Sequence, residues 1–219
     1  MRHVVLLGDS IFDNAPYVPK GAEVKAQLQQ LLGDGHRVVL LARDGDVLAD
    51  MRSQVARLRK APPESAMLLV SCGGNNVLGL VGHMHASVKS VLKASEQLAS
   101  WQAEFRFEYR RMLDDVFTLG LPVAISTIYD AVPGLSPGLR TALAVFNDVI
   151  LREAVRRKLP VLDLRVVCDA PGDYSPVSPI EPSEQGGRKI AAAIAALIQS
   201  HDAATPRTVM FGAGAPARP

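Results

Sequence analysis

The sequence predicts an α/β domain, a flavodoxin-like three-layer sandwich around a five-stranded parallel sheet. Three observations lead there. Five short apolar runs recur along the chain: His3–Leu7, Arg37–Ala42, Met67–Ser71, Pro122–Thr127 and Pro160–Leu164. Between them the apolar residues fall at helical spacing, the alternation that a sheet covered by helices produces. The runs also lack strict polar alternation, as expected of strands buried on both faces.

The helical stretches follow in order. Val24, Leu28, Leu31 and Leu32 mark the first, and Leu48, Met51, Val55 and Leu58 the second. Leu98, Trp101, Phe105, Met112 and Val116 mark a long third helix. Leu139, Leu143, Phe146 and Ile150 mark a fourth, and Ile190, Ile194, Leu197 and Ile198 the last. Each stripe is read as a face packing onto the sheet. Residues Val77–Ala94 are long for a connection and are read as an excursion or lid. The domain is placed at residues 1–202, and the Ala/Pro/Gly-rich stretch at 203–219 is read as a mobile tail.

Composition narrows the function classes. Of 219 residues, 48% are hydrophobic and 21% charged, which excludes a disordered chain. The net charge of +2 comes with no basic stripe interleaved with aromatics, so no nucleic-acid partner is expected. Arg59-Lys60 and Arg156-Arg157-Lys158 are read as solvated helix ends that complement the dipole. No run reaches membrane-spanning length, and Val4–Leu7 is too short for a signal-peptide core, so no membrane partner is expected. Two cysteines, Cys72 and Cys168, suggest no disulfide framework, and a reducing cytoplasmic setting is the expectation. No phosphate-binding loop, dinucleotide fingerprint or Cys/His cluster appears, so no cofactor or metal is expected. The sequence carries no signal for an oligomeric state.

In open parallel sheets, sites form outside the carboxyl ends of the strands. The segments following the first three strands are Gly8-Asp9-Ser10, Arg43-Asp44-Gly45 and Cys72-Gly73-Gly74-Asn75-Asn76. Ser10 either caps a turn or presents its hydroxyl, with its own N–H turned toward a bound oxyanion. Gly45 lets a backbone N–H approach a substrate oxygen, and Asn75 either shapes a turn or offers its amide. Together Ser10 N–H, Gly45 N–H and the Asn75 amide make three donors around one point, as a tetrahedral oxyanion requires.

These blocks resemble those of the SGNH hydrolases, also called GDSL esterases and lipases. Gly8-Asp9-Ser10 stands for the first block, Gly45 for the glycine of the second, and Gly73-Gly74-Asn75-Asn76 for the third, with Asn76 in place of its Asp. The resemblance runs from His3 to about Ser200. It implies hydrolysis of a small-molecule ester with Ser10 as nucleophile and Gly45 and Asn75 as oxyanion donors. The fifth block departs from the pattern. Where the family has Asp-x-x-His, this chain reads Ser178-Pro179-Ile180-Glu181, followed by Pro182, Ser183, Gly186 and the last helix.

Three readings of the missing histidine stand side by side. Glu181 is the base, its carboxyl raised toward neutrality by burial. Or a histidine arrives from elsewhere: His83 and His85 lie on the correct side, whereas His3 and His36 lie on the wrong edge and His201 ends the last helix. Or the chain has lost hydrolysis and keeps a pocket that binds an ester, acyl or glycan-like ligand.

Overall fold

A computed structural model gives the structure of the protein and describes residues 2–63, 65–202 and 205–212. In chain order the elements are β1 (Arg2–Gly8), α1 (Val24–Leu32), β2 (His36–Leu40), α2 (Met51–Lys60) and β3 (Ala66–Ser71). There follow α3 (Gly74–Leu78), α4 (Val81–Met84), α5 (Val91–Phe117), β4 (Val123–Ser126) and α6 (Pro137–Arg157). The chain then forms β5 (Val161–Leu162), α7 (Leu164–Val167), α8 (Glu184–Ser200) and β6 (Met210–Phe211).

The strands pair in parallel in the order β2-β1-β3-β4-β5-β6. Successive residues of β1 serve opposite faces, as strand periodicity demands. Val5 and Leu7 join a core with residues of α2, α5 and α6. Val4 and Leu6 join the second core, which includes residues of α1, α7 and α8. Helices on both faces of a central strand buried from Val4 onward explain why the runs read as continuous apolar stretches.

Helix starts follow local chemistry. Ser90, Ser136 and Ser183 cap α5, α6 and α8 through their side chains, and Pro137 opens α6. The N–H of Val24 at the start of α1 is held by Asn14 Oδ1 at 3.0 Å.

The structure corrects the expected sheet in two places. It has six strands, not five: Val161 and Leu162 pair with Met210 and Phe211. These two residues lie in the stretch read as a tail, and the edge of β5 recruits them although their surroundings carry no strand pattern. Residues 203, 204 and 213–219 of that stretch lie outside the described residues. The fifth run is also shorter than expected, because Asp163 accepts from Arg165 N and starts α7 at Leu164.

The basic run at the end of α6 is more than a solvated terminus. Arg156 donates to the buried Glu153 at 2.6 Å, and Arg110 reaches the same carboxylate at 2.7 Å from α5. Among the described residues, no helix is long and apolar enough to cross a membrane. The Val77–Ala94 segment holds α4 and parts of α3 and α5.

Because β2 and β3 flank β1 on opposite sides, the chain reverses direction across the sheet between β1 and β3. A crevice opens outside the carboxyl ends at such a switch point. Ser10 follows β1 and Asn75 follows β3.

Candidate active site

The junction that carries Ser10 is built on close backbone approach. Gly8 has φ +131°, and a Cβ added there would overlap the carbonyl of Ser71 on β3. Asp9 N–H donates to that same carbonyl at 3.1 Å. The peptide groups of Gly8 are met by a side chain. Gly8 N–H donates to Gln54 Oε1 at 2.8 Å, and Gln54 Nε2 donates to Gly8 O at 2.7 Å and to Asp46 Oδ2 at 2.8 Å. Gln54, fully buried on α2, therefore ties the end of β1 to the loop after β2.

The third loop is fastened to the second in turn. Asn75 Nδ2 donates to Asp46 O at 2.9 Å, which leaves its other hydrogen unused by that bond. Asn76 Oδ1 accepts from Leu48 N–H at 3.0 Å, and its Nδ2 donates to Glu108 at 3.3 Å. The Asn that stands where the family has Asp thus accepts on one side and donates on the other. The N–H groups of Ser10 and Gly45 donate to no protein acceptor among the described residues.

Glu181 sits on a loop held from four sides. Its N–H donates to Ser178 O at 3.0 Å, and its carbonyl accepts from Ser175 N–H at 2.8 Å. Tyr129 donates its phenol to Ile180 O, and Asn14 Nδ2 donates to Pro182 O at 3.3 Å. The following helix packs close: a Cβ at Gly186 would overlap Asp173 O.

Ser10 is 6% exposed and Glu181 4%. Both line one cavity of about 130 Å³ together with Asp9 and Asn75. Burial pushes the Glu181 carboxyl up to about 7; hydrogen bonding to the Ser10 side chain pulls it down, and the charge of Asp44 raises it further. One carboxyl oxygen, Oε2, is buried without a partner among the described residues. Asp9 is also pushed up to about 7, chiefly by burial; Ile11 N–H favours its charged form, and the nearby Glu181 charge disfavours it. Asp44 accepts from the Tyr17 phenol at 2.7 Å.

Such a site can place a hydroxyl against a carboxylate able to take its proton near neutral pH. The structure brings Ser10, Asn75 and Glu181 to one cavity. Gly45 is exposed at φ +83° on the adjoining loop and is not on that cavity wall, although Asp46 beside it is bonded to Asn75. His83 and His85 are exposed and line a different cavity with Trp101. Three residues that shape the site escaped sequence reasoning: Gln54, Tyr129 and Asn14. Among the described residues, no group of three or more His, Cys, Asp or Glu is placed to hold a metal ion.

The two buried carboxyls set a stability profile. Between about pH 4 and 7 the folded state keeps protons that the unfolded chain has released, so stability falls as pH rises through that window. Asp9 alone contributes on the order of 4 kcal/mol if its shift is fully expressed. Glu153, Asp163 and Asp173 act oppositely. Burial pushes each up, but Arg110 and Arg156, Arg165 and Thr127, and Lys189 respectively hold them low. Their stabilisation is lost as pH falls below about 4. Urea midpoints are therefore expected to peak at about pH 4 and to decline until about pH 7. Asp9→Asn should raise the pH 8 midpoint and flatten the decline. A wild-type profile level from pH 5 to 8 would contradict this assignment.

The fold and site define a class: α/β proteins with a parallel sheet that carry a serine just beyond the first strand. Within it, the chain belongs to the GDSL-like lipase/acylhydrolase family, whose model matches residues 6–207. No curated protein matches the chain in sequence. Solved structures share the fold at low identity. One is a member of the lipolytic G-D-S-L family from Veillonella parvula, with TM-score 0.71 and 13% identity, covering 92% of this chain and 100% of its own. The aryl esterase of M. smegmatis has TM-score 0.66 and 15% identity, with 91% and 99% covered. An acetyl xylan esterase from Geobacillus stearothermophilus has TM-score 0.66 and 17% identity, with 90% and 94% covered.

Proposed function

We propose that the protein hydrolyses a small carboxylic ester through an acyl-enzyme on Ser10, with Glu181 as general base. The observation that carries this reading is a buried carboxyl, raised to about 7, that lines the same cavity as Ser10 and Asn75.

In the first half-reaction Ser10 Oγ attacks the ester carbonyl carbon as its proton passes to Glu181. The carbonyl electron pair moves onto oxygen, which is met by Ser10 N–H and the second hydrogen of Asn75 Nδ2. Collapse breaks the bond to the alcohol oxygen, which leaves with the proton from Glu181. In the second half, water gives a proton to Glu181 and attacks the acyl carbon. The Ser10 oxygen departs, recovers the proton, and the acid is released.

A fluorophosphonate probe should label the wild type covalently, and Ser10→Ala should abolish both the label and turnover of an ester panel. Asn75→Ala should lower kcat by about 100- to 1000-fold with little change in KM, the signature of a donor used in the transition state. An unchanged kcat would remove Asn75 from the mechanism.

A second reading is a module in this family that binds its ligand without cleaving it. It is favoured by Ser178, which offers no carboxylate to orient a base, and by the absence of any histidine from the cavity wall. Absence of both labelling and turnover across the panel would select it.

A further inference from the structure

The cavity extends well beyond the reacting end. Away from Ser10, Glu181 and Asn75 its wall is formed by Val77, Val81 and Met84 on one side and by Ile128, Leu139 and Leu143 on the other. The groups at its base, Ser126 and Thr127, sit at the carboxyl end of β4. The Thr127 hydroxyl donates to Asp163 at 2.9 Å and accepts from Leu164 N–H. Leu143 is buried on α6, whereas Leu78 is exposed and Met84 and Leu139 also line the neighbouring cavity, so the wall is apolar along its length without being sealed. A wall of this kind offers little to a sugar, whose hydroxyls need polar partners, and much to a hydrocarbon chain.

Size sets the length of that chain. The cavity holds about 130 Å³. A cavity of about 150 Å³ lined by aliphatic and aromatic side chains takes benzene, a six-carbon ligand. The half of the ester lodged here must also be the half that remains attached to Ser10. The alcohol leaves before water attacks, whereas the acyl part stays bonded to Ser10 through both half-reactions, so an apolar wall that begins beside Ser10 meets the acyl part throughout.

We infer that the substrate is an ester of an unbranched or phenyl-sized apolar acid of about four to six carbons, whose acyl chain fills this cavity. The inference rests on the Ser10 reading above and adds the identity of the acyl group. It separates this chain from relatives named for removing acetyl groups, since an acetyl would leave most of the apolar wall uncovered.

The test uses methyl esters, so that no bulky leaving group competes for the cavity. kcat/KM is measured for methyl acetate, butanoate, hexanoate and decanoate, and in parallel for n-alkyl acetates of matching length. Each buried methylene is expected to give about fourfold, the factor that about 0.8 kcal/mol produces, and about 200-fold from acetate to hexanoate at full burial. Decanoate should gain nothing further. Leu139→Phe and, independently, Val81→Phe fill the wall, and each should lower the hexanoate-to-acetate ratio by at least about tenfold. The ratio is internal to each variant and is insensitive to partial misfolding. Binding of methyl hexanoate and methyl acetate to Ser10→Ala, followed by saturation-transfer NMR, gives a readout that needs no turnover.

Ser10-dependent turnover that is flat with acyl length, or that depends only on the alcohol, overturns the acyl assignment and leaves the catalytic reading intact. No turnover with any ester, but preferential binding of hexanoate to Ser10→Ala, supports the cavity assignment and ends the catalytic reading. Neither turnover nor preference overturns both.

Discussion

Glu181→Gln is expected to lower ester turnover by about 100- to 10 000-fold, the contribution a positioned general base makes, while the protein stays folded. Gln matches Glu in shape, so the loop contacts through Ser175, Tyr129 and Asn14 persist. What it lacks is the ability to take the Ser10 proton. The wild type should accordingly gain activity as pH rises, with a midpoint near 7, because the carboxyl must be ionised to act. Asp9 titrates in the same range close by, so the observed midpoints belong to the pair and not to either residue alone. The variant should show no such rise. A stability control distinguishes loss of the base from loss of the fold. Removing a buried, raised carboxyl leaves the folded state at least as stable at pH 8 as the wild type. Wild-type turnover by Glu181→Gln would place the base elsewhere.

Gly8→Ala should prevent the protein from reaching its native state. The new Cβ would lie within the carbonyl of Ser71, and relief requires β1 and β3 to part in the middle of the sheet. The positive φ adds strain that a residue with a side chain rarely accepts. The two hydrogen bonds between Gln54 and the Gly8 peptide, one donated by each, would be lost together, leaving buried polar groups unmet. The combined cost should exceed about 4 kcal/mol, an exceptional value for one methyl group and a large share of the stability of a domain. Soluble yield and the thermal transition by circular dichroism report it. Gly45→Ala is the matched control: its φ is also positive, but nothing lies within 4 Å of the added atom, so only the smaller backbone strain applies. A Gly8→Ala protein that melts within a few degrees of wild type would show that the strands yield more readily than their packing implies.

The α/β architecture could be read from the chain because β1, β3, β4 and β5 bury both faces and the long helices bury one. Those demands write themselves into local spacing, as Val4–Leu7 and the Leu28 and Ile190 stripes show. β6 could not be read, since Met210 and Phe211 acquire strand geometry from the free edge of β5 and not from their own neighbours. The positions of Ser10 and Asn75 were legible because strand ends are marked by abrupt changes from apolar to small polar residues, whereas Glu181 was legible only through the resemblance of its block to the family's. Gln54 was not: its position on α2 looks like any polar helix residue until the fold lays it against Gly8. Tyr129 and Asn14 are alike in this, as both act on the Glu181 loop from segments far away in the chain. Gly45 shows the opposite case. Its block order places it beside Asn75, yet sequence order says nothing of how far its loop stands out from the cavity wall.

The buried carboxyl at position 181 changes the electrical character of the proposed cycle. An imidazole begins neutral, and taking the serine proton would create a cation facing an anion inside an apolar enclosure. A carboxylate begins with the charge already present. As it accepts the proton, the negative charge is relocated to the carbonyl oxygen, and the total charge of the enclosure does not change. No ion pair has to be generated, so the amide donors meet a charge in transit across the site.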